Sequence, residues 1–82
     1  MSLTLQPIRV ATGSDEDGML VFTEEQRLVA VLTRLSKQHE GAAGHWYLEA
    51  GFGWLDGPNH PIFPDLGAAQ DWLLQRIARR RI

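Results

Sequence analysis

The stretch from His45 to Leu55 has the strongest side-chain alternation in the chain, and it limits the folds that the rest can adopt. In a β-strand, successive side chains point to opposite faces of the sheet. The predicted inner face of this strand carries apolar side chains: Trp46, Leu48, Ala50, Phe52 and Trp54. The predicted outer face carries His45, Tyr47, Glu49, Gly51 and Gly53. The sequence therefore predicts a strand buried on one side, which the remaining elements must cover.

Composition places the chain among small globular proteins. It has 82 residues, 44% of them apolar and 22% charged, and a formal net charge of -2. We expect a single domain over residues 1–82, with residues 1–4 and 81–82 frayed. The acidic balance argues against general nucleic-acid binding, which usually needs an excess of basic residues. Because the chain has no cysteine, disulfides, thiolate metal sites and a cysteine nucleophile are excluded.

The hydropathy pattern predicts no membrane segment. The longest unbroken apolar run, Leu28–Leu32, is far shorter than the roughly 20 residues that span a bilayer. The first residues also lack a basic region followed by an apolar stretch, which a secretory signal requires. We therefore expect a cytoplasmic protein that does not enter the membrane.

Two short strands are predicted before residue 23. The first begins at Leu5, and Pro7 within it lacks the N–H that a sheet ladder needs, which favours an edge position. A segment rich in turn formers follows at residues 13–18, and Met19–Phe22 then has the composition of a second strand. The two strands can form a hairpin.

Residues 23–38 fit two different structures. A helix would have Thr23 as its N-cap and Gln26 as the capping-box partner, with apolar residues on one stripe. A strand from Arg27 to Leu35 would instead be a buried central strand, because it contains a continuous apolar run. Periodicity does not decide between the two.

Three blocks of the sequence resemble a group of small uncharacterised bacterial proteins. These blocks are Arg27–Leu32, Gly44–Gly53, and the set Phe63, Leu66, Ala69 and Trp72. The resemblance covers about residues 19–75, and no activity is assigned to the group. It implies that the first block is a strand paired with the second, and it implies nothing about function.

The C-terminal segment predicts an amphipathic helix from Leu66 to about Arg80, with Asp65 as its N-cap. Its apolar stripe consists of Leu66, Ala69, Trp72, Leu73 and Ile77. We expect Trp72 and Leu73 to contact Trp46, Leu48 and Phe52. The predicted fold is α+β, an antiparallel sheet of three or four strands with this helix on one face, in the order β-β-β-β-α. In the alternative, residues 24–38 are helical and the order is β-β-α-β-α.

No motif in the sequence specifies a chemistry, so function is predicted from the surfaces that this fold leaves open. The uncovered face of the sheet offers a binding surface at His45, Tyr47, Glu49, Gly51 and Gly53, where the glycines would leave the backbone accessible. Strand residues four positions apart are roughly 13 Å apart, so His45 and Glu49 cannot share a metal ion unaided. We predict a non-catalytic protein-binding or oligomerisation module, with a protein partner or a second copy, and no cofactor, metal or membrane.

Two other functions stay open. A nucleic-acid accessory domain would hold phosphate through Arg76, Arg79, Arg80 and Arg81, helped by Arg34 and Lys37. Basic residues at the end of a helix also complement its dipole without any ligand. A small ligand-binding protein or enzyme would use His45 and Glu49 in polar roles beside Gly51.

Overall fold

A computed structural model describes residues 2–11, 17–36, 41, 43–55, 57 and 60–79, without the side chains of Trp54 and Arg79. Within these residues, five antiparallel strands form one sheet in chain order. They are β1 (Thr4–Arg9), β2 (Asp17–Phe22), β3 (Leu28–Arg34), β4 (Trp46–Gly51) and β5 (Ile62–Phe63). A 3-10 helix (Gly53–Leu55) follows β4, and helix α1 (Leu66–Arg79) follows β5. The predicted α+β class is confirmed, and β5 adds a strand to the three or four predicted.

The ambiguous segment forms the central strand of the sheet. β3 pairs with β2 on one side and with β4 on the other, so tertiary pairing overrides the helical pattern. Thr23 does not cap a helix: its N–H donates to the Arg27 carbonyl at 3.0 Å, and its carbonyl accepts the Gln26 N–H at 2.9 Å. These bonds close the turn between β2 and β3. The strand interpretation is therefore confirmed, and the helical alternative is wrong.

β1 is an edge strand, as Pro7 predicts. Its sheet neighbour in the described part of the chain is β2, and the two pair antiparallel over all six residues of each strand. The predicted hairpin is thus correct in its strands, while residues 12–16 of the connection lie outside the described residues.

Asp65 caps α1, as the sequence predicts. Its Oδ1 accepts the Ala68 N–H at 2.8 Å, and its main-chain carbonyl accepts the Ala69 N–H at 3.2 Å. The helix begins at Leu66, as predicted, and extends to Arg79, the last described residue. Its predicted end at about Arg80 lies outside the described residues. None of the helices in the described residues is long and apolar enough to cross a membrane.

The core lies between α1 and the face of the sheet that we call the inner face. Its buried members are Val21, Ala30, Leu32, Leu48, Leu55, Phe63, Ala69, Leu73 and Ile77. Leu48 and Leu73 share this cluster, and Trp46 and Trp72 pack against it, as predicted. Phe52 is 46% exposed, so its predicted place in the core is wrong. Trp72 instead lies against Phe63, with ring centroids 5.5 Å apart.

Candidate functional site

The face of the sheet opposite α1, which we call the outer face, is apolar although no described helix or strand packs against it. Residues paired directly across two strands share a face, and Leu32 and Leu48 are a buried inner pair. The residues that alternate with the inner positions therefore belong to the outer face. Leu28 also belongs there, because it pairs with outer Phe22 across a β-bulge at Val29. The apolar members of the outer face are Ile8, Leu20, Phe22, Leu28, Val31, Tyr47, Ala50 and Ile62, and its other members are Thr4, Gln6, Gly18 and Thr33.

Most of the outer face is half-buried by the sheet itself. Leu28 is 36% exposed and Ile62 is 50% exposed, and both are among the large apolar side chains that contact solvent. Leu20, Phe22 and Val31 are half-buried. Apolar atoms of neighbouring strands thus contact one another laterally and contact water above the sheet.

One end of the outer face is closed by the chain. Gly18 and Thr33 form a buried pair there, and Thr33 is 2% exposed. A Cβ added at Gly18 would lie 2.7 Å from Cγ2 of Val10 and 3.4 Å from Cγ1 of Ile8, so these side chains already fill the space. The apolar part that stays open is therefore Leu20, Phe22, Leu28, Val31 and Ala50, which we call the apolar patch.

Tyr47 and His60 form a polar border beside β5. Their rings stack with centroids 5.9 Å apart and an angle of 26° between the ring planes. His60 Nδ1 lies 2.8 Å from the Leu48 carbonyl oxygen. Because a carbonyl oxygen only accepts, Nδ1 is the donor in this contact.

His60 is not among the predicted binding residues, and strand alternation does not indicate its position. Its contacts are with Tyr47 and Leu48, 13 and 12 residues earlier in the chain, and they depend on the pairing of β5 with β4. The Leu48 N–H donates to the Pro61 carbonyl at 3.1 Å, which fixes the segment next to His60. The dense turn formers around His60 were the available signal, and they predict a loop without placing it.

The five predicted binding residues do not share one surface. Tyr47 lies on the outer face, and half-buried His45 precedes β4. The Nδ1 atom of His45 is buried and has no hydrogen-bond partner among the residues described. Glu49 is exposed, Gly51 lies on the inner face, and Gly53 begins the 3-10 helix.

A β-bulge at Glu49 separates these residues. Val31 and Leu32 are consecutive in β3 and so lie on opposite faces, and they pair with Ala50 and Leu48 respectively. Leu48 is therefore on the inner face and Ala50 on the outer face, with Glu49 as the extra residue between them. The prediction that Ala50 faces the core is wrong for this reason.

The same bulge turns Gly51 towards the core. Gly51 pairs with Ala30, which is fully buried. A Cβ added at Gly51 would lie 2.7 Å from the carbonyl carbon and 3.0 Å from the Cβ of Leu55. Leu55 fills this space, so Gly51 lies on the inner face and not, as predicted, beside Tyr47 on the outer face. A binding role for Gly51 stays a prediction.

Gly53 keeps an accessible backbone. A Cβ added there would have no described atom within 4 Å, and the φ angle of 62° is one that favours glycine. A binding role for His45, Tyr47, Glu49 and Gly53 stays a prediction, with Tyr47 as the member on the outer face.

The predicted basic patch is described only in part. The guanidinium carbon of Arg76 lies 4.5 Å from the centroid of the Trp72 ring, a cation–π contact. The Arg79 side chain and the whole of Arg80 and Arg81 lie outside the described residues. Arg34 lines a cleft together with Asp65, which precedes α1. Along the helix axis, Asp65 lies about 16 Å from Arg76. The role of Arg34 and the basic patch stay predictions.

The cleft beside Arg34 has a volume of about 440 Å³ and is lined by residues of β1 to β4 and of the segment that precedes α1. Its lining includes Pro7, Met19, Arg34, Trp46, Pro64 and Asp65. The Asp65 carboxylate is already used as the helix cap. Among the described residues, no group of three or more histidine, aspartate or glutamate side chains could hold a metal ion.

Comparison of the chain with protein-family models, with curated proteins and with solved structures finds no match. The resemblance to small bacterial proteins stays a prediction.

Proposed function

We propose that this protein is a small non-catalytic module that binds a protein through its outer face, the partner being another protein or a second copy of this chain. The observation that carries the proposal is the apolar patch, which no described helix or strand covers. Burial of apolar surface stabilises a protein or a complex by about 25 cal/mol for each Å² removed from water. The exposed patch lacks this stabilisation. A partner that covers the patch would gain this stabilisation, and contiguous apolar patches on small proteins commonly mark such sites.

The border of the apolar patch supports the same proposal. Thr4 and Gln6 in β1 are exposed and pair with Phe22 and Leu20. Exposed Glu49 lies in β4 beside Ala50 on the opposite side of the patch. An apolar centre with a polar rim is the usual anatomy of a protein interface.

The geometry favours binding over catalysis. A small enzyme was expected to use His45 and Glu49 beside an open Gly51. A Cβ at Gly51 would meet Leu55. His45 precedes β4 and Glu49 is the extra residue of a bulge, so strand alternation does not bring their side chains together beside Gly51. We also propose that the protein acts in the cytoplasm of a bacterium, as the sequence analysis expects.

Site-specific photo-crosslinking tests the proposed function. A photoreactive phenylalanine analogue replaces Leu28 in the apolar patch, and a matched control replaces Gln75, which is exposed on α1. Irradiation of cells that express the full chain is expected to give a discrete adduct of higher mass from position 28 and none from position 75. Equal adducts at both positions, or none at either, would contradict the proposal.

A further inference from the structure

We propose that the occupant of the outer face is a second copy of this chain, so that two outer faces pack against each other in a symmetric homodimer. This inference rests on the proposed function and names its partner. Three observations support the homodimer: the charge of the apolar patch, the area of the outer face and the strands at the two edges of the sheet.

Charge is the first argument. The side chains of the apolar patch are all uncharged: Leu20, Phe22, Leu28, Val31 and Ala50. A two-fold axis places a patch against its own copy, so a patch with charge at its centre would repel itself. This patch needs no partner of opposite charge, and a second copy matches it as it stands.

Area is the second argument. Strands β1 to β4 contain 6, 6, 7 and 6 residues. With about 3.3 Å per residue and about 4.8 Å between strands, their outer face covers roughly 400 Å² in projection. Two whole outer faces, with polar rim and closed end included, therefore bury at most about 800–1,000 Å² in total, near the lower limit for a specific interface.

The edges of the sheet are the third argument, because they disfavour the other common way of joining two sheets. β1 forms one edge, and Pro7 within it lacks the N–H needed for continued pairing. β5 forms the other edge and has only two residues. Edge-to-edge pairing would therefore gain few hydrogen bonds. Face-to-face packing gives four layers, helix, sheet, sheet and helix, with the two sheets about 10 Å apart.

The test is sedimentation equilibrium of the purified full chain over a range of concentrations, with three variants. Leu28→Lys and Ile62→Lys place a charge on the outer face at side chains that are already 36% and 50% exposed, so each monomer can fold. Gln75→Lys adds the same charge on the exposed side of α1. Circular dichroism and thermal unfolding check that each variant is folded.

The wild-type mass is expected to rise with concentration towards twice 9.2 kDa. Leu28→Lys is expected to raise the dimer dissociation constant at least about tenfold, because the interface would bury the lysine charge against apolar side chains without a partner. Gln75→Lys is expected to leave the constant unchanged. A dimer that neither Leu28→Lys nor Ile62→Lys weakens would form elsewhere and would overturn the inference.

A wild-type protein that stays monomeric at every concentration would also overturn the inference. The crosslinking experiment then separates the two proposals. If position 28 still forms an adduct with a different protein, the outer face binds that protein and the proposed function stands. If position 28 forms no adduct, both proposals fail.

Discussion

At the scale of single residues, Gly51 packs closely against the backbone of Leu55. A side chain at position 51 would point into the carbonyl group of Leu55, which belongs to the 3-10 helix and cannot move without that helix. We therefore expect Gly51→Ala to lower the free energy of unfolding by about 1–3 kcal/mol through overpacking. Urea unfolding followed by tryptophan fluorescence measures this change.

Gly57→Ala is the matched control for this substitution. An added Cβ at Gly57 meets no described atom within 4 Å, and Gly57 is not among the described glycines with positive φ. The control is expected to be neutral or to stabilise the protein by up to about 1 kcal/mol, since alanine restricts the unfolded chain. Equal stabilities for the two variants would show that Gly51 is not packed against Leu55.

A second prediction at this scale concerns the turn between β2 and β3. Gln26 is exposed and has a φ angle of 60°, a left-handed conformation that costs an ordinary residue roughly 1 kcal/mol. Gln26→Gly is therefore expected to raise the midpoint of thermal unfolding by a few degrees. Glu25→Gly, one residue earlier, is expected to lower it, because φ is not positive there. A lower midpoint for Gln26→Gly would contradict the strained turn.

At the scale of elements, α1 depends on its N-cap. Asp65 accepts the Ala68 N–H through its side chain, and substitutions that remove such a cap cost about 0.5–2 kcal/mol. We expect Asp65→Ala to destabilise the protein by about 1 kcal/mol in urea unfolding and Asp65→Asn to retain most of the stability. Asp71→Ala removes the same charge from an exposed position within the helix and is expected to be close to neutral. If Asp71→Ala destabilised the protein as much as Asp65→Ala, the loss of a negative charge would explain both effects without a cap.

The sequence was sufficient to predict α1 and the edge position of β1. Both depend on local chemistry: a capping carboxylate followed by a helical stripe, and a proline without an N–H. β3 was not determined in this way, because five consecutive apolar residues, Leu28–Leu32, suit a buried strand and a helix equally. Its pairing with both β2 and β4 decides the matter, and that pairing is a property of the whole sheet.

The candidate site was less predictable than the fold, because one inserted residue, Glu49, reverses the faces to which the next side chains of β4 point. Strict alternation assigns Ala50 and Gly51 to the wrong sides once Glu49 is inserted as a bulge. Nothing in the alternating pattern marks that insertion. β5 was missed because two residues have no periodicity. The contact between His60 and Tyr47 was missed with it, since β5 brings that segment to β4.

At the scale of the whole molecule, the two faces of the sheet have unequal cover. The inner face is covered by Ala69, Leu73 and Ile77 of α1. The outer face carries apolar side chains of all five strands with no described element above them. Among the described residues, one side of the sheet is therefore buried within the chain, and the other side lacks a covering helix or strand. This asymmetry is the physical basis of both proposals.

Burial is also unequal across the width of the sheet. β3 pairs on both sides and contains buried Ala30, Leu32 and Thr33. β1 pairs with β2, and none of its residues is buried. Local opening is easiest where few apolar contacts and few neighbouring strands must be broken. We therefore expect amide hydrogens of residues 28–34 to exchange most slowly and those of residues 4–9 to exchange faster by at least about tenfold.

Hydrogen–deuterium exchange followed by mass spectrometry of peptides measures this difference. The control is a urea series below the unfolding transition: exchange in β1 is expected to be nearly independent of urea, because its opening exposes little surface, while exchange in β3 rises steeply with global unfolding. Equal protection in the two strands would mean that β1 opens only when the whole sheet does. A contact outside the described residues would then have to hold β1 in place. That contact would cover the edge of β1 that faces away from β2.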